Sequence, residues 1–252
     1  MIIRKSEQEI EAMARAGRVV ADTLALVGES LRPGMTTREL DAIAEEYIRS
    51  QGGAPTFKGY HGFPASICTS PNSMVVHGIP GEYRIEDGDL LSVDVGVTLN
   101  DFVADSAYTF AVGHISDETQ RLLGVGQAAL EAGIAEARPG NHVGDISAAV
   151  QRTVEEAGFS VVKSLVGHGV GRSMHEEPQI PNWGEPGRGP LLASGMTLAI
   201  EPMINAGSAE VFVADDRWSI STDDGALSAH FEHTVAVTGG GPRILTLAGV
   251  RV

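Results

Sequence analysis

Leu90-Leu91-Ser92-Val93-Asp94-Val95-Gly96-Val97-Thr98-Leu99-Asn100-Asp101-Phe102-Val103-Ala104-Asp105 is the stretch around which the rest of the chain can be read. Both arms are β-like, rich in Val, Leu, Phe and Ala, and they meet at a short polar turn. With Leu99-Asn100 as a two-residue turn, Thr98 faces Asp101, Val97 faces Phe102 and Asp94 faces Asp105. Two carboxylates then stand opposite each other among Val, Gly and Ala. Like charges so placed destabilise a sheet, and apolar neighbours keep water from screening them. Such a pair either shares a proton or holds a cation. The other reading puts one aspartate in the turn and the second in solvent; the apolar flanks count against it.

Three further candidates lie downstream. Gly167-His168-Gly169-Val170-Gly171-Arg172-Ser173-Met174-His175-Glu176-Glu177-Pro178 carries two histidines in a glycine-rich setting, and glycine lets a backbone turn tightly and approach a ligand. Glu201 interrupts Leu198-Ala199-Ile200-Glu201-Pro202-Met203, and Glu232 interrupts Phe231-Glu232-His233-Thr234-Val235. Singly, each glutamate reads as a strand-edge residue in solvent. Together with Asp94, Asp105 and His168 they make five potential ligands in comparable contexts. Four carboxylates and one neutral imidazole balance two divalent cations. Oxygen-rich ligation with one imidazole favours Mn²⁺ or Fe²⁺, with Co²⁺ and Zn²⁺ also accommodated. A structural zinc site would call for more thiolates than the single cysteine, Cys68, supplies.

Around these motifs the chain repeats itself. Ser6 and Glu9 have capping-box spacing and open a helix running to about Gly28, before Arg32-Pro33-Gly34 breaks the chain. A second helix is expected over Thr37 to Arg49, then strands near Met74–His77, Leu90–Val97 and Phe102–Val112. The order recurs with helices over Asp117–Ala137 and Val143–Ala157, then strands near Ser160–Val166, Thr197–Ile204, Glu210–Ile220 and Leu227–Val237. Arg32-Pro33-Gly34 corresponds to Arg138-Pro139-Gly140 and Gly52 to Gly158; Gly88 precedes Asp94 by six residues, as Gly195 precedes Glu201. This predicts one compact domain over residues 1–252, with halves of about 1–112 and 113–252 facing each other across one site.

Composition sets the outer bounds. The 252 residues are 42% hydrophobic with a net charge of −15, an ordinary soluble composition. The acidity argues against a general nucleic-acid surface. No apolar run follows Arg4-Lys5, and none reaches the roughly 20 residues of a membrane span. One cysteine permits no intrachain disulfide, in keeping with a reducing compartment. A cytoplasmic enzyme is the default expectation.

The chain resembles the type I methionine aminopeptidases, in their short bacterial form. The resemblance covers nearly the whole length. It rests on His77-Gly78-Ile79-Pro80, Ser92-Val93-Asp94-Val95-Gly96, Ala104-Asp105-Ser106, Gly167-His168-Gly169-Val170-Gly171 with His175-Glu176-Glu177-Pro178, Glu201-Pro202-Met203 and Phe231-Glu232-His233-Thr234. It implies the α+β pita-bread fold: two pseudo-symmetric halves around a curved antiparallel sheet covered by helices. It also implies a dinuclear metal centre that removes an N-terminal methionine when the second residue is small. By motif, Asp94, Asp105, His168, Glu201 and Glu232 are the metal ligands, with Asp105 and Glu232 bridging both ions. His77, His175 and Glu201 are the catalytic residues: Glu201 shuttles a proton, His175 stabilises the carbonyl oxygen and His77 contacts the scissile amide.

The resemblance further places Phe57, Tyr60, Phe63, Cys68, His77, His175 and Trp218 around the substrate, and an alkali ion, Na⁺ or K⁺, at Asn72, Met74 and Ser228. Its implied partners are N-terminal methionine peptides and nascent chains, with the ribosome as a further partner for which no basic segment is evident. A monomer without membrane or specific nucleic-acid binding is expected. The competing readings are an Xaa-Pro aminopeptidase or prolidase, which usually carries an extra N-terminal domain, and a non-catalytic binding protein on the same fold.

Overall fold

A computed structural model describes residues 1–247. Helix α1 spans Glu7–Ser30, capped by Ser6: its hydroxyl accepts from the Glu9 N–H at 3.3 Å, and the Glu9 carboxylate accepts from the Ser6 N–H at 2.9 Å. Its buried face, Ile10, Met13, Val20, Leu24 and Val27 among others, follows helical spacing. Helix α2, Thr37–Ser50, opens on the same reciprocal cap between Thr36 and Glu39. Both helices belong to a core with Ile67, Leu91, Val93, Val95 and Val97 from the first strands. Helices α3 (Asp117–Glu136) and α4 (Val143–Glu156) build a second core with Ile180, Leu198, Ile200, Ile204, Val235 and Val237.

All the named strands pair antiparallel, and their hydrogen bonding divides into four sheets. In the first, Leu90–Leu99 pairs with Phe102–Ala111, and on its other edge with Ala54–Pro55 and Cys68–Pro71. The largest runs, in spatial order, Gly241–Ile244, His233–Thr238, Thr197–Ile200, Val166–Gly169 and Glu176–Pro181. The other two are Ser228–His230 with Met203–Asn205 and Ser160–Val161, and Val211–Val213 with Ile220–Thr222 and Met74–Val76.

Besides the expected strand Ser160–Val166, which is two strands of different sheets, Ser160–Val161 and Val166–Gly169, three expectations from the sequence need correction. The hairpin turn is Asn100-Asp101, not Leu99-Asn100: Leu99 pairs with Phe102, so Asp94 faces Ala107 and Asp105 faces Gly96. Both turn residues have positive φ, 49° and 66°, as a type I′ turn requires. Asn and Asp tolerate that conformation, whereas Leu does not. Because the shift is two residues, the two aspartates remain diagonal neighbours on one face, still within side-chain reach. Second, Thr197–Ile204 and Leu227–Val237 are each broken, at Glu201-Pro202 and at Phe231-Glu232. Proline has no N–H for the ladder. Third, Glu210–Ile220 is a hairpin rather than one strand, turning between Val213 and Ile220.

Candidate metal centre

The broken strands create the site. Ile200 pairs with His233 and Met203 with His230, so the breaks at Glu201-Pro202 and Phe231-Glu232 lie opposite each other. Freed from the pleat, each break is held by its own bonds: Asn182 Nδ2 donates to the Glu201 carbonyl at 3.0 Å, and the Glu232 N–H donates to the Ala107 carbonyl at 2.9 Å. The second bond ties Glu232 to the strand that carries Asp105. Ser106 Oγ reinforces it by donating to the Glu232 carbonyl at 2.5 Å. His168 enters from the neighbouring strand, where it pairs with Ala199, at a β-bulge between His168 and Gly169. A Cβ at Gly169 would lie 2.3 Å from the Glu177 carbonyl oxygen, so only glycine permits this strand spacing. His168 Nδ1 donates to the Gly169 carbonyl at 2.9 Å, which leaves Nε2 as the free ligand atom.

One cavity of about 230 Å³ receives all five expected ligands, Asp94, Asp105, His168, Glu201 and Glu232. Ligand atoms of Asp105, His168 and Glu232 lie within 4.8 Å of one another. Glu201 Oε1 is 3.5 Å from His168 Nε2, and Asp94 shares a side-chain hydrogen bond with Asp105. The cost of this gathering shows in the ionisation. Burial pushes Asp94 up to about 7, and burial together with the other carboxylates pushes Asp105, Glu201 and Glu232 well above the usual range. Burial holds His168 down, to about 4.

The donor set fits divalent cations. Among the described residues, five buried side-chain polar atoms have no hydrogen-bond partner, and three are Asp94 Oδ1, Asp105 Oδ1 and Glu232 Oε1. Buried carboxylate oxygens without donors are costly. Three lining one cavity, beside an imidazole with its tautomer fixed, have the chemistry of a hard-cation site.

The expected substrate residues Phe57, Tyr60, Phe63, Cys68, His77, His175 and Trp218 all line the same cavity. Phe63 packs edge-on against Phe57 and Trp218, at centroid distances of 6.4 and 5.2 Å. Cys68 pairs with Asp94 across the sheet, and burial pushes its thiol pKa up. His77, at a positive φ of 60°, is presented at the end of the Met74–Val76 strand. At the expected alkali-ion positions, the Ser228 N–H donates to the Asn72 carbonyl at 2.9 Å, and Met74 follows two residues on. The Asn72 and Ser228 side-chain oxygens are already hydrogen-bonded, to the Leu90 N–H and to Ile204 and Asn205.

Two histidines here went unread in the sequence. His61 lines the cavity. His230 is buried, and its unpartnered Nε2 lies 3.7 Å from Glu201 Oε2. A polar residue within Ser228-Ala229-His230-Phe231 carried the same signal that marked Glu232.

Residues 11–239 match the model of metallopeptidase family M24. The chain is 53% identical to the methionine aminopeptidase of Clostridium perfringens, over 98% of this chain and 99% of that one. The chain belongs to the methionine aminopeptidases of family M24. It is also 51% identical to methionine aminopeptidase 1 of Bacillus subtilis, over 98% and 99% of the two chains. The solved methionine aminopeptidase of Rickettsia prowazekii superposes on this family member with a TM-score of 0.97, at 39% identity over 98% and 100% of the chains. Likeness to the prolidase of Pyrococcus furiosus is in fold alone: TM-score 0.79 at 23% identity, with 66% of that longer chain covered. The pita-bread fold and the metallo-aminopeptidase class stand on these matches. No helix among the described residues is long and apolar enough to cross a membrane.

Proposed function

We propose that the chain removes the initiator methionine from new polypeptides whose second residue is small, with two divalent ions held by Asp94, Asp105, His168, Glu201 and Glu232. The observation that carries this reading is the convergence of these five side chains, three with unpartnered oxygens, on one cavity walled by Phe57, Phe63 and Trp218. Asp94, Asp105, His168, Glu201 and Glu232 would hold the ions, with Asp105 and Glu232 serving both, Asp94 one, and His168 and Glu201 the other. Bound there, the ions supply Lewis acidity and lower the pKa of water.

The protein's own groups do the rest. A Glu201 carboxylate oxygen accepts the proton lost by the attacking water and returns it to the leaving amine. His175 donates to the scissile carbonyl oxygen as charge builds on it, and His77 contacts the amide nitrogen. Phe57, Phe63, Cys68 and Trp218 give the linear methionine side chain an apolar wall. An alkali ion at Asn72, Met74 and Ser228 would be held by backbone carbonyls, since the side-chain oxygens of Asn72 and Ser228 are already hydrogen-bonded. We place the enzyme in the cytoplasm, as a monomer acting on nascent chains at the ribosome.

The test is hydrolysis of a Met-Ala-Ser peptide by chelated protein titrated with Mn²⁺, Fe²⁺, Co²⁺ or Zn²⁺, beside Xaa-Pro peptides. Metal-dependent release of methionine is expected, and Asp105→Ala should abolish it. Preference for the Xaa-Pro peptides, or near-normal turnover by Asp105→Ala, overturns the reading.

A further inference from the structure

Tyr60 has a polar function beyond shaping the methionine slot. Its hydroxyl lies 2.7 Å from His175 Nδ1, a short contact between residues 115 positions apart. The rings face each other at 5.5 Å with a 33° tilt. Neither residue is free to drift. The Tyr60 N–H donates to the Phe57 carbonyl and the Phe63 N–H to the Tyr60 carbonyl, both at 2.9 Å, within a loop that Gly59 and Gly62 turn at positive φ. His61 braces the Tyr60 ring edge-on at 4.4 Å. On the other side, the Glu176 carboxylate next to His175 accepts from the Arg172 and Ser173 N–H groups and pairs with buried Lys5 at 2.5 Å.

We infer that the Tyr60 hydroxyl is a positioning group that donates its proton to His175 Nδ1 and so fixes the imidazole as the Nε2–H tautomer. A neutral imidazole has one donor and one acceptor nitrogen, and a partner on one decides the other. With Nδ1 occupied as acceptor, Nε2–H is the polar atom left to meet a substrate carbonyl oxygen, the act the proposed function assigns to His175. The opposite tautomer would present a lone pair to that oxygen and repel it. Burial also pushes the Tyr60 pKa up, so the phenol keeps its donor proton. Neither nitrogen changes charge in this arrangement.

The inference rests on the proposed function for its effect on kcat, whereas the tautomer is read without it. Histidine-labelled ¹⁵N protein loaded with diamagnetic Zn²⁺ reports ring tautomers directly, and His175 is assigned by its disappearance in His175→Gln. In the wild type, His175 should show an acceptor-type Nδ1 and a protonated Nε2. In Tyr60→Phe, which keeps the ring and removes only the hydroxyl, the signals should move to a tautomer mixture. In parallel, kcat on Met-Ala-Ser should fall about tenfold, with KM and metal content unchanged. A wild-type Nδ1–H tautomer, a doubly protonated ring, or an unchanged kcat in Tyr60→Phe overturns the inference. Tautomers as expected in a protein inactive on Met-Ala-Ser uphold the tautomer assignment and sink the peptidase reading instead.

Discussion

Thr234 clasps Asp105 at both ends of its backbone: its Oγ1 accepts from the Asp105 N–H at 2.9 Å and donates to the Asp105 carbonyl at 2.8 Å. Thr109 does the same to His230, both bonds at 2.8 Å. The two threonines stand on opposite strands, and between them the Glu232 N–H bonds the Ala107 carbonyl. Three residues of the candidate centre or its edge, Asp105, Glu232 and His230, are therefore fixed by backbone bonds that do not involve their own side chains.

Thr234→Val tests this clasp. The residue is fully buried, and valine keeps its shape while leaving the Asp105 N–H and carbonyl unpaired. Leaving such groups unsatisfied costs about 1–3 kcal/mol, so urea unfolding should show a loss of that size together with weaker Mn²⁺ binding. A change under about 0.5 kcal/mol, the range of ordinary surface substitutions, would mean that the strand pairing holds Asp105 without the hydroxyl.

Asp105→Asn separates the cost of the centre from its use. An amide cannot neutralise a cation, so turnover of Met-Ala-Ser should fall to background. Yet the metal-free variant should be more stable than metal-free wild type at pH 8, because the neutral amide replaces a carboxyl that must otherwise be buried charged or take up a proton on folding. Thermal melts in chelator decide it. A less stable variant would show that hydrogen bonding to Asp105, rather than repulsion, dominates the empty cavity.

Much of this was legible in the sequence, and the residues show why. An acid that interrupts an apolar strand is conspicuous, so Asp94, Asp105, Glu201 and Glu232 could be picked out before any strand was placed. The hairpin register was misread because the turn was set at Leu99-Asn100, although Asn100-Asp101 is the pair that accepts left-handed backbone. The shift was even, so the two side chains stayed on one face. Pro202 marks the break at Glu201-Pro202, although apolar Ile200 and Met203 on either side read as one strand; the break at Phe231-Glu232, between His230 and His233, has no glycine or proline to announce it. The Tyr60–His175 bond joins loops 115 residues apart, and no local pattern encodes it. The two-half division over about 1–112 and 113–252 remains a proposal. The apolar clusters support it, one drawn from Ala16 to Val112 and the other, Leu90 apart, from Leu122 to Val237.

The ionisation of the centre sets a pH dependence. Asp94, at about 7, and Asp105, Glu201 and Glu232 all lie well above their ordinary values because of burial. Unfolded, they ionise near pH 4, so above that the metal-free native chain binds more protons than the unfolded one. Their contribution to stability is present in full below about pH 4 and is lost as pH rises through 7. Below about pH 6.5 the buried histidines His168, His230 and His233, held low by burial, give the opposite slope, so melting temperature in chelator should fall between about pH 7 and 8. Saturating Mn²⁺ should flatten or reverse the slope, since cations compete with these protons. A metal-free melting point that rises over this range contradicts the assigned shifts.

His175→Ala should spare the metal. The side chain touches His168, with ring centroids 4.3 Å apart, but its Nδ1 is taken by the Tyr60 hydroxyl at 2.7 Å. If it donates to the developing oxyanion, kcat should fall about 10²–10³-fold with metal content unchanged. Loss of metal would reassign His175 as a ligand.

The chain's own N-terminus is a last check. The proposed function takes only a small second residue, and Ile2 is β-branched and bulky. It is also half-buried against the second core, while Met1 is fully exposed. Met1 is therefore open to attack, and the size of Ile2 is what should protect it. Intact mass of the protein made in a bacterial host should include Met1, and Ile2→Ala should lose one methionine residue while losing some packing. Wild-type protein lacking Met1 would mean that the site next to the scissile bond tolerates branched side chains, and the small-residue rule would not hold for this enzyme.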